Sequence, residues 1–237
     1  MVRIWAIAVV LAGCFLTTVN QTGYTREVDD SVNLYESKEE NPSFNIVGIG
    51  AFASSSEYDG KDGNVLAVPF ALWRNERFFI EGVHAGIIAY EDEPLRADLY
   101  LAPKFMGYDE DDAQVFKGME DRDFSMDAGG RLIWQFPEME SIDITVSFQT
   151  DVLSKSDGQE GSVAVTKTFR GEFYQVQPSI GVRWLSDDLT DYYYGVKTTE
   201  ATGSRPAYEA EQMVNYFSHL GFYMGLSQNW ILVTRIG

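Results

Sequence analysis

The stretch "SIDITVSFQT", residues 141–150, decides how the rest of the chain is interpreted. Its side chains fall into two alternating sets, an apolar set of Ile142, Ile144, Val146 and Phe148 and a polar set of Asp143, Thr145, Ser147 and Gln149. A repeat of two residues is the repeat of a β-strand that has one apolar and one polar face. The stretch therefore predicts a strand.

The same alternation recurs from Phe44 onward, for example in "DLYLAPKF" (98–105), "MDAGGRLIWQF" (126–136) and "FYQVQPSIGVRWL" (173–185). No long segment has a helical repeat, so the sequence predicts an all-β chain. The predicted strands lie near residues 44–53, 64–73, 77–90, 97–107, 124–136, 141–151, 162–170, 172–185, 189–197, 211–224 and 228–236.

This set of strands has one internal conflict. It places the long polar loops at 107–123 and 197–211 at opposite ends of an antiparallel sheet. One strand in the set is therefore merged with another or missing, and no loop can be assigned to a side.

Two architectures fit the alternation, a soluble sandwich and a transmembrane barrel, which turns its apolar face to lipid. The runs are about 10–13 residues long, more than the roughly 5–6 of a soluble strand and enough for the roughly 9–11 that cross a bilayer. The less apolar faces could line a small polar lumen with Lys104, Asp127, Arg131, Gln175, Gln177 and Arg183. Aromatic residues gather at strand ends, as an interfacial girdle requires: Trp73, Phe78, Phe79, Tyr90, Trp134, Phe136, Trp184 and Trp230. These features favour the barrel.

Composition limits the possible functions. The 237 residues carry 18 Lys+Arg against 36 Asp+Glu, a net charge of −18, which disfavours nucleic acid as a partner. The single cysteine excludes a disulfide within the chain and a metal site built on several cysteines.

The N-terminus has the pattern of an export signal. Residues 1–20 contain Arg3 and then an apolar run that is short for a membrane-spanning helix. The run includes "LAGC", which resembles a bacterial lipobox with Cys14 as the lipidated residue; the alternative is an ordinary signal peptide cut further on. Residues 21–43 are charged and non-periodic and predict a flexible acidic linker, which leaves residues 44–237 for the β-barrel.

Three segments resemble the MipA/OmpV family of Gram-negative outer-membrane proteins. They are "VGIGAFASSSEYDGKDGNVLAVPFALW" (47–73), "FKGMEDRDFSMDAGGRL" (116–132) and "LTDYYYGVKTTEA" (189–201). The residues that carry the family motifs are Tyr58, Gly60, Pro69, Asp191, Tyr192, Tyr193, Tyr194 and Gly195. We place the tyrosine triplet on a barrel strand, with Tyr193 on the opposite face from its two neighbours.

The resemblance implies an antiparallel transmembrane β-barrel of about 10–12 strands in the outer membrane, with no cofactor and no catalytic residues. Its name-giving member is a scaffold that links a lytic transglycosylase to a bifunctional murein synthase. Outer-membrane lipid and lipopolysaccharide are the other expected partners. The alternatives are a small pore or an adhesin and, third, a membrane-embedded lipid hydrolase. Family members carry a further hairpin after the region matching residues 226–237, so the chain is either truncated or closes with fewer strands.

The candidate chemical groups give little support to catalysis or metal binding. Ser218 and His219 are adjacent on a predicted strand and point to opposite faces, and His84 has no serine on its own face. The loop "YDGKDGN" (58–64) has Lys61 where a calcium loop has an acidic ligand. The acidic run at 109–112 could bridge cations to lipopolysaccharide, although most charge runs are solvated surfaces.

Overall fold

The structure is a computed structural model that describes residues 10–16, 45–54, 58, 64–136, 141–227 and 230–237. These residues form thirteen strands and one α-helix, α1 (Asp187–Tyr194). The strands are β1 (Val10–Leu16), β2 (Asn45–Ser54), β3 (Asn64–Arg74), β4 (Phe78–Gly82), β5 (His84–Asp92), β6 (Leu95–Lys104), β7 (Ser125–Phe136), β8 (Ile142–Asp151), β9 (Gln159–Lys167), β10 (Phe169–Arg170), β11 (Tyr174–Leu185), β12 (Met213–Ser227) and β13 (Trp230–Ile236). The all-β prediction is confirmed.

All strands belong to one antiparallel sheet in which, apart from β9 and β10, neighbours in sequence are neighbours in space. β9 and the two-residue β10 both pair with β11, β11 pairs with β12, and β12 pairs with β13. β1 lies between β13 and β2. Followed from β11 through β12, β13 and then β1 to β8, the pairings reach β9, and β9 pairs with β11 again. β1 pairs with β13 along Leu11–Leu16 but with β2 only at Val10 and Leu11.

The polarity of this sheet is the reverse of that in a soluble protein. Large apolar side chains are exposed in the middle of the strands, for example Ile49 (71%) and Ile180 (66%). Charged side chains are buried on the opposite face, for example Asp98 (2%) and Asp127 (1%). The alternation predicted for β6, β7, β8 and β11 is therefore confirmed, with the apolar set facing outward.

The predicted strand at 77–90 is two strands, because the chain turns back after Gly82, which adopts a positive φ of 68° and separates β4 from β5. The conflict over loop positions has another source, the predicted strand at 189–197, since residues 187–194 form α1 and not a strand. The long connections 105–124, 152–158 and 186–212 therefore lie at one end of the sheet, here called the loop end. The short connections 75–77, 93–94 and 171–173 lie at the opposite end, the turn end.

Some sequence predictions fall partly or wholly outside the described residues. Of the predicted signal at 1–20, only β1 is described, and its position in the sheet does not test whether export removes it. The predicted linker at 21–43 and Gly60 lie outside the described residues. Among the residues that the structure does describe, no helix is long and apolar enough to cross a membrane.

Candidate functional site: a cap at the loop end

The helix α1 lies where the sequence predicts a strand at 189–197, and that prediction is wrong. The Ser186 hydroxyl accepts a hydrogen bond from the Leu189 N–H (3.3 Å), which satisfies a free donor in the first turn. Asp187 and Asp188 follow, where negative charge is favourable at a helix start. The helix ends at Gly195, whose N–H donates to the Asp191 carbonyl (2.8 Å). This capping pattern, not the tyrosines, sets the local structure.

The tyrosine triplet lies on the helix, where Tyr192 and Tyr194 pack against the buried cluster that contains Tyr193. Tyr193 is 1% exposed and packs with Leu185 and Leu189, so burial raises the pKa of its hydroxyl. The Tyr192 ring lies under the Arg122 guanidinium, 5.5 Å from its centroid. The triplet therefore belongs to packing inside the loops. The prediction from the sequence, which placed it on a barrel strand as girdle and barrel packing, is wrong.

An aromatic cluster joins the neighbouring loops to this helix. Tyr108 stacks on Phe116 with centroids 4.1 Å apart, and Tyr58 meets both rings edge-on. The Tyr58 hydroxyl donates to the Tyr193 carbonyl (3.2 Å), and the Tyr58 and Tyr194 rings are 5.9 Å apart. Tyr58 thus connects the 105–124 loop with α1, which gives this motif residue a structural role.

Arg122 and Glu200 form the central ion pair of the assembly. Both side chains are 2% exposed, and both guanidinium NH2 groups of Arg122 reach the Glu200 carboxylate at 3.2 Å. The Arg122 Nε donates to the Tyr192 carbonyl (2.5 Å), so one arginine holds two loops and the helix together. We call residues 108–122, α1 and residues 195–208 the cap, and this ion pair the latch.

Sequence reasoning missed the latch. Its partners are separated by 78 residues, and each stands in a charged stretch that resembles a solvated surface. No local pattern distinguishes Arg122 from the other cations of the chain.

The pKa of Glu200 reflects this environment. Burial alone would raise it, but hydrogen bonds from the Glu120 N–H, from Arg122 and from the Lys197 N–H outweigh burial and hold the pKa below its usual value. The latch is therefore charged at neutral pH.

The acidic run at 109–112 is used in folding the cap loop. The Asp112 carboxylate accepts from the Asp109 N–H (3.0 Å), and the Glu110 carboxylate accepts from the Gly118 N–H (3.0 Å). A cavity of about 250 Å³ lies in the cap, at its boundary with residues 209–210. Its lining includes Arg122, Asp187, Asp188, Asp191, Lys197 and Glu209.

Below the cap, the inward face of the sheet carries a network of paired charges. Arg131 donates to Asp98 and to Glu81, both at 2.7 Å, and Arg96 donates to Asp98 at 2.8 Å. The ring of Phe79, which the sequence places in a girdle, instead lies inward beneath Arg96 and Arg131. Nearer the cap, Lys104 binds Asp127 (2.8 Å) and Arg183 approaches Glu160 (3.2 Å).

The remaining predicted residues lie apart from the cap. Pro69 is in β3 opposite Ile49, and the backbone of Cys14 is in β1 opposite Leu232. His219 faces inward while Ser218 is exposed on the outward face, consistent with the argument that they cannot act together. Within the described residues, no group of three or more His, Cys, Asp or Glu side chains could hold a metal ion.

We predict that Arg122→Gln loosens the cap, because it leaves the buried Glu200 carboxylate without its cation. Breaking a buried pair in this way costs about 3–5 kcal/mol, so trypsin should cut after Lys117 about tenfold faster or more. Lys155→Gln is the matched control, since it breaks an exposed ion pair to Asp123 next to the same loop. Equal cleavage rates for both variants would contradict the latch.

Acid should release the latch as well. The pKa of Glu200 is lower in the folded protein than in the unfolded chain, where it is about 4.3. The charged carboxylate therefore stabilises the cap fully above that pH, and this stabilisation is lost as the pH falls below it towards the folded pKa. We expect the hydrogen-exchange protection of the Glu120 and Lys197 amides to fall over that range. In Glu200→Gln this step should be absent; if it persists, another group controls the cap.

Comparison with known proteins agrees with this architecture. The family described as MltA-interacting protein MipA matches residues 47–237. The putative outer membrane protein YiaT of Escherichia coli K12 is 26% identical over 161 residues, 67% of this chain and 64% of YiaT. Outer membrane protein OmpV of Vibrio cholerae is 28% identical over 200 residues, 80% of this chain and 75% of OmpV.

The MltA-interacting protein of Escherichia coli K12 is 25% identical over 160 residues, 67% of this chain and 63% of that protein. The chain thus spans less than two thirds of the length of YiaT and of this relative. No solved structure matches the chain. The resemblance found in the sequence is confirmed: the chain belongs to the MipA (MltA-interacting protein) family and is an outer-membrane protein.

Proposed function

We propose that the chain is a closed transmembrane β-barrel that acts as a non-enzymatic scaffold for murein-remodelling enzymes. The observation that carries the proposal is the reversed polarity of the sheet. Outward side chains such as Ile180 and Phe148 are apolar and exposed, while inward side chains such as Asp98 and Asp127 are charged and buried. Lipid on the outside accounts for both sets at once.

The strand pairings support closure. Every strand from β1 to β9 and from β11 to β13 has a neighbour on each side. A spanning sheet needs this arrangement, since a free edge in lipid leaves N–H and C=O groups unpaired. The two-residue β10 pairs with β11 on the same edge as β9 and so continues the pairing between β9 and β11.

The height of the apolar band supports a bilayer position. On the outward face of β11, Tyr174 stands at the turn end and Trp184 at the loop end. These ten residue steps span about 33 Å along the strand, or about 25 Å in height at a tilt of about 40°. That height matches the apolar band of outer-membrane barrels, with an aromatic side chain at each boundary.

The lengths of the connections suggest an orientation. Outer-membrane barrels have short turns on the periplasmic side and long loops outside. The turn end would then face the periplasm, where murein lies, and the cap would face outward. The scaffold surface is accordingly the turn end together with the segment that precedes β2.

The described interior favours a scaffold over a pore. Cations and carboxylates on the inward face bind one another, and the latched cap lies at the loop end. The name of the relative in Escherichia coli, MltA-interacting protein, supports a lytic transglycosylase as the partner. The link to a murein synthase and contacts with lipopolysaccharide belong to the same proposal.

Membrane insertion is tested by two matched substitutions. Val146 is exposed in the middle of β8 and Val152 is similarly exposed just beyond its loop end. In a barrel, Val146→Arg should cost about 2–4 kcal/mol and Val152→Arg about 0–1 kcal/mol, because only the first lies in the apolar band. The heat-modifiable band on a gel, followed through urea unfolding, measures both. Equal stabilities would favour the soluble sandwich.

The scaffold role is tested by crosslinking in intact cells. A photo-crosslinking residue at Arg77 probes the turn end, and one at Val115, exposed on the cap, is the control at the loop end. We expect a lytic transglycosylase to be recovered from Arg77 and not from Val115. Recovery from Val115 alone, or from neither position, would contradict the proposal. Steady conductance of the wild-type protein in planar bilayers would favour the pore.

A further inference from the structure

Two buried polar atoms near the junction of the cap and the sheet have no hydrogen-bond partner among the described residues. One is the hydroxyl oxygen of Tyr193, and the other is Oδ1 of Asp127. Both side chains are 1% exposed. An unpaired polar group in such a position destabilises the fold, so natural structures pair it with protein, water or ligand.

Tyr193 lies where the cap meets the sheet. Its ring packs against Leu185, the last residue of β11, and against Leu189 of α1. The Ser186 hydroxyl, which precedes α1, accepts a hydrogen bond from the Gln159 N–H (2.9 Å) at the start of β9. The helix that carries Tyr193 is therefore attached to two strands of the sheet.

Asp127 belongs to the inward face of β7, near its loop end. Its Oδ2 accepts from the Lys104 ammonium (2.8 Å) and from the Gln149 amide (2.9 Å). Asp151 stands directly opposite on β8, but its oxygens already accept from the Ser125 hydroxyl and from N–H groups of residues 153–157. Oδ1 of Asp127 is thus the acceptor that remains open at this place.

The two unpaired atoms belong to one region of the molecule. Burial and the neighbouring Tyr192 raise the pKa of the Tyr193 hydroxyl, and the negative charges of Asp127 and Asp151 raise it further. Tyr193 and Asp127 do not bond to each other directly. A group that satisfies both therefore has to bridge them.

We propose that one buried water molecule bridges the Tyr193 hydroxyl and the Asp127 carboxylate and seats the cap on the sheet. A water can accept the phenolic hydrogen and donate one of its own to Oδ1. Buried waters in proteins occupy such sites, where polar groups of the protein lack another partner. A bridging cation is disfavoured, because the Lys104 ammonium already neutralises the same carboxylate. Neither lipid nor a murein enzyme enters this inference, so it stands apart from the proposed function.

The test is hydrogen exchange of the α1 amides, measured by mass spectrometry on the full chain folded in detergent micelles. If the hydroxyl is bridged, Tyr193→Phe loses a net hydrogen bond and should speed this exchange about fivefold or more. If the hydroxyl is unpaired, the same substitution removes a destabilising group and should slow the exchange. Slower or unchanged exchange in Tyr193→Phe would overturn the proposal.

A second substitution identifies the other end of the bridge. Asp127→Asn replaces a charged acceptor by a neutral one, which makes a hydrogen bond about half as strong, so in this background Tyr193→Phe should speed exchange only about twofold. Tyr192→Phe is the matched control, because the Tyr192 hydroxyl accepts from the Asp123 N–H (3.1 Å) and should have the same effect in both backgrounds. An equal effect of Tyr193→Phe in both backgrounds would show that Asp127 is not its partner.

A change of salt separates a water from a cation at the same place. Exchange of α1 should be the same in sodium chloride and in choline chloride at equal ionic strength. Faster exchange in choline chloride would identify a bound sodium ion and contradict the water. In a crystal structure of the full chain, we expect one solvent peak within hydrogen-bond distance of both oxygens, and empty space between them would overturn the bridge.

Discussion

The backbone of the proposed barrel crosses lipid and has to pair every N–H and C=O group within the protein, and the rest of the proposed architecture depends on that constraint. An antiparallel sheet whose pairings return to their starting strand meets the requirement without helices. The position between β13 and β2 is where closure is most demanding, since β1 meets β2 only at Val10 and Leu11. Any segment that occupies this position in the membrane has to run antiparallel to both neighbours.

The same constraint reverses the usual relation between burial and polarity. In the proposed barrel, lipid replaces water as the outer solvent, so the apolar residues of each strand are exposed and the interior collects the charges. Such an interior is stable only where charges meet partners, and Asp98 with Arg131 illustrates this. The latch between Arg122 and Glu200 applies the same rule in the loops.

The extent to which the sequence predicts this structure follows from the range of the interactions involved. For strands with a strict period of two, the sequence predicts both the strand and which residues share a face, because that pattern is local. The turn at Gly82 was missed because the apolar alternation continues through it, although a glycine with a positive φ creates the hairpin. The helix α1 was missed because three tyrosines suggested a strand, while the weaker capping signal at Ser186 determined the fold. The latch could not be predicted, because its partners are far apart in sequence.

The measurement that tests the central claim most directly is a spin-label scan of β8 in lipid vesicles, with Cys14 replaced by serine and single cysteines placed along residues 142–151. Collision rates with oxygen, which dissolves in lipid, and with a water-soluble nickel complex report the surroundings of each side chain. The proposed barrel predicts oxygen maxima at Ile144, Val146 and Phe148, with minima at Thr145, Ser147 and Gln149 between them. High accessibility to nickel at Val146 and Phe148, without an oxygen maximum, would place this face in water and contradict the account.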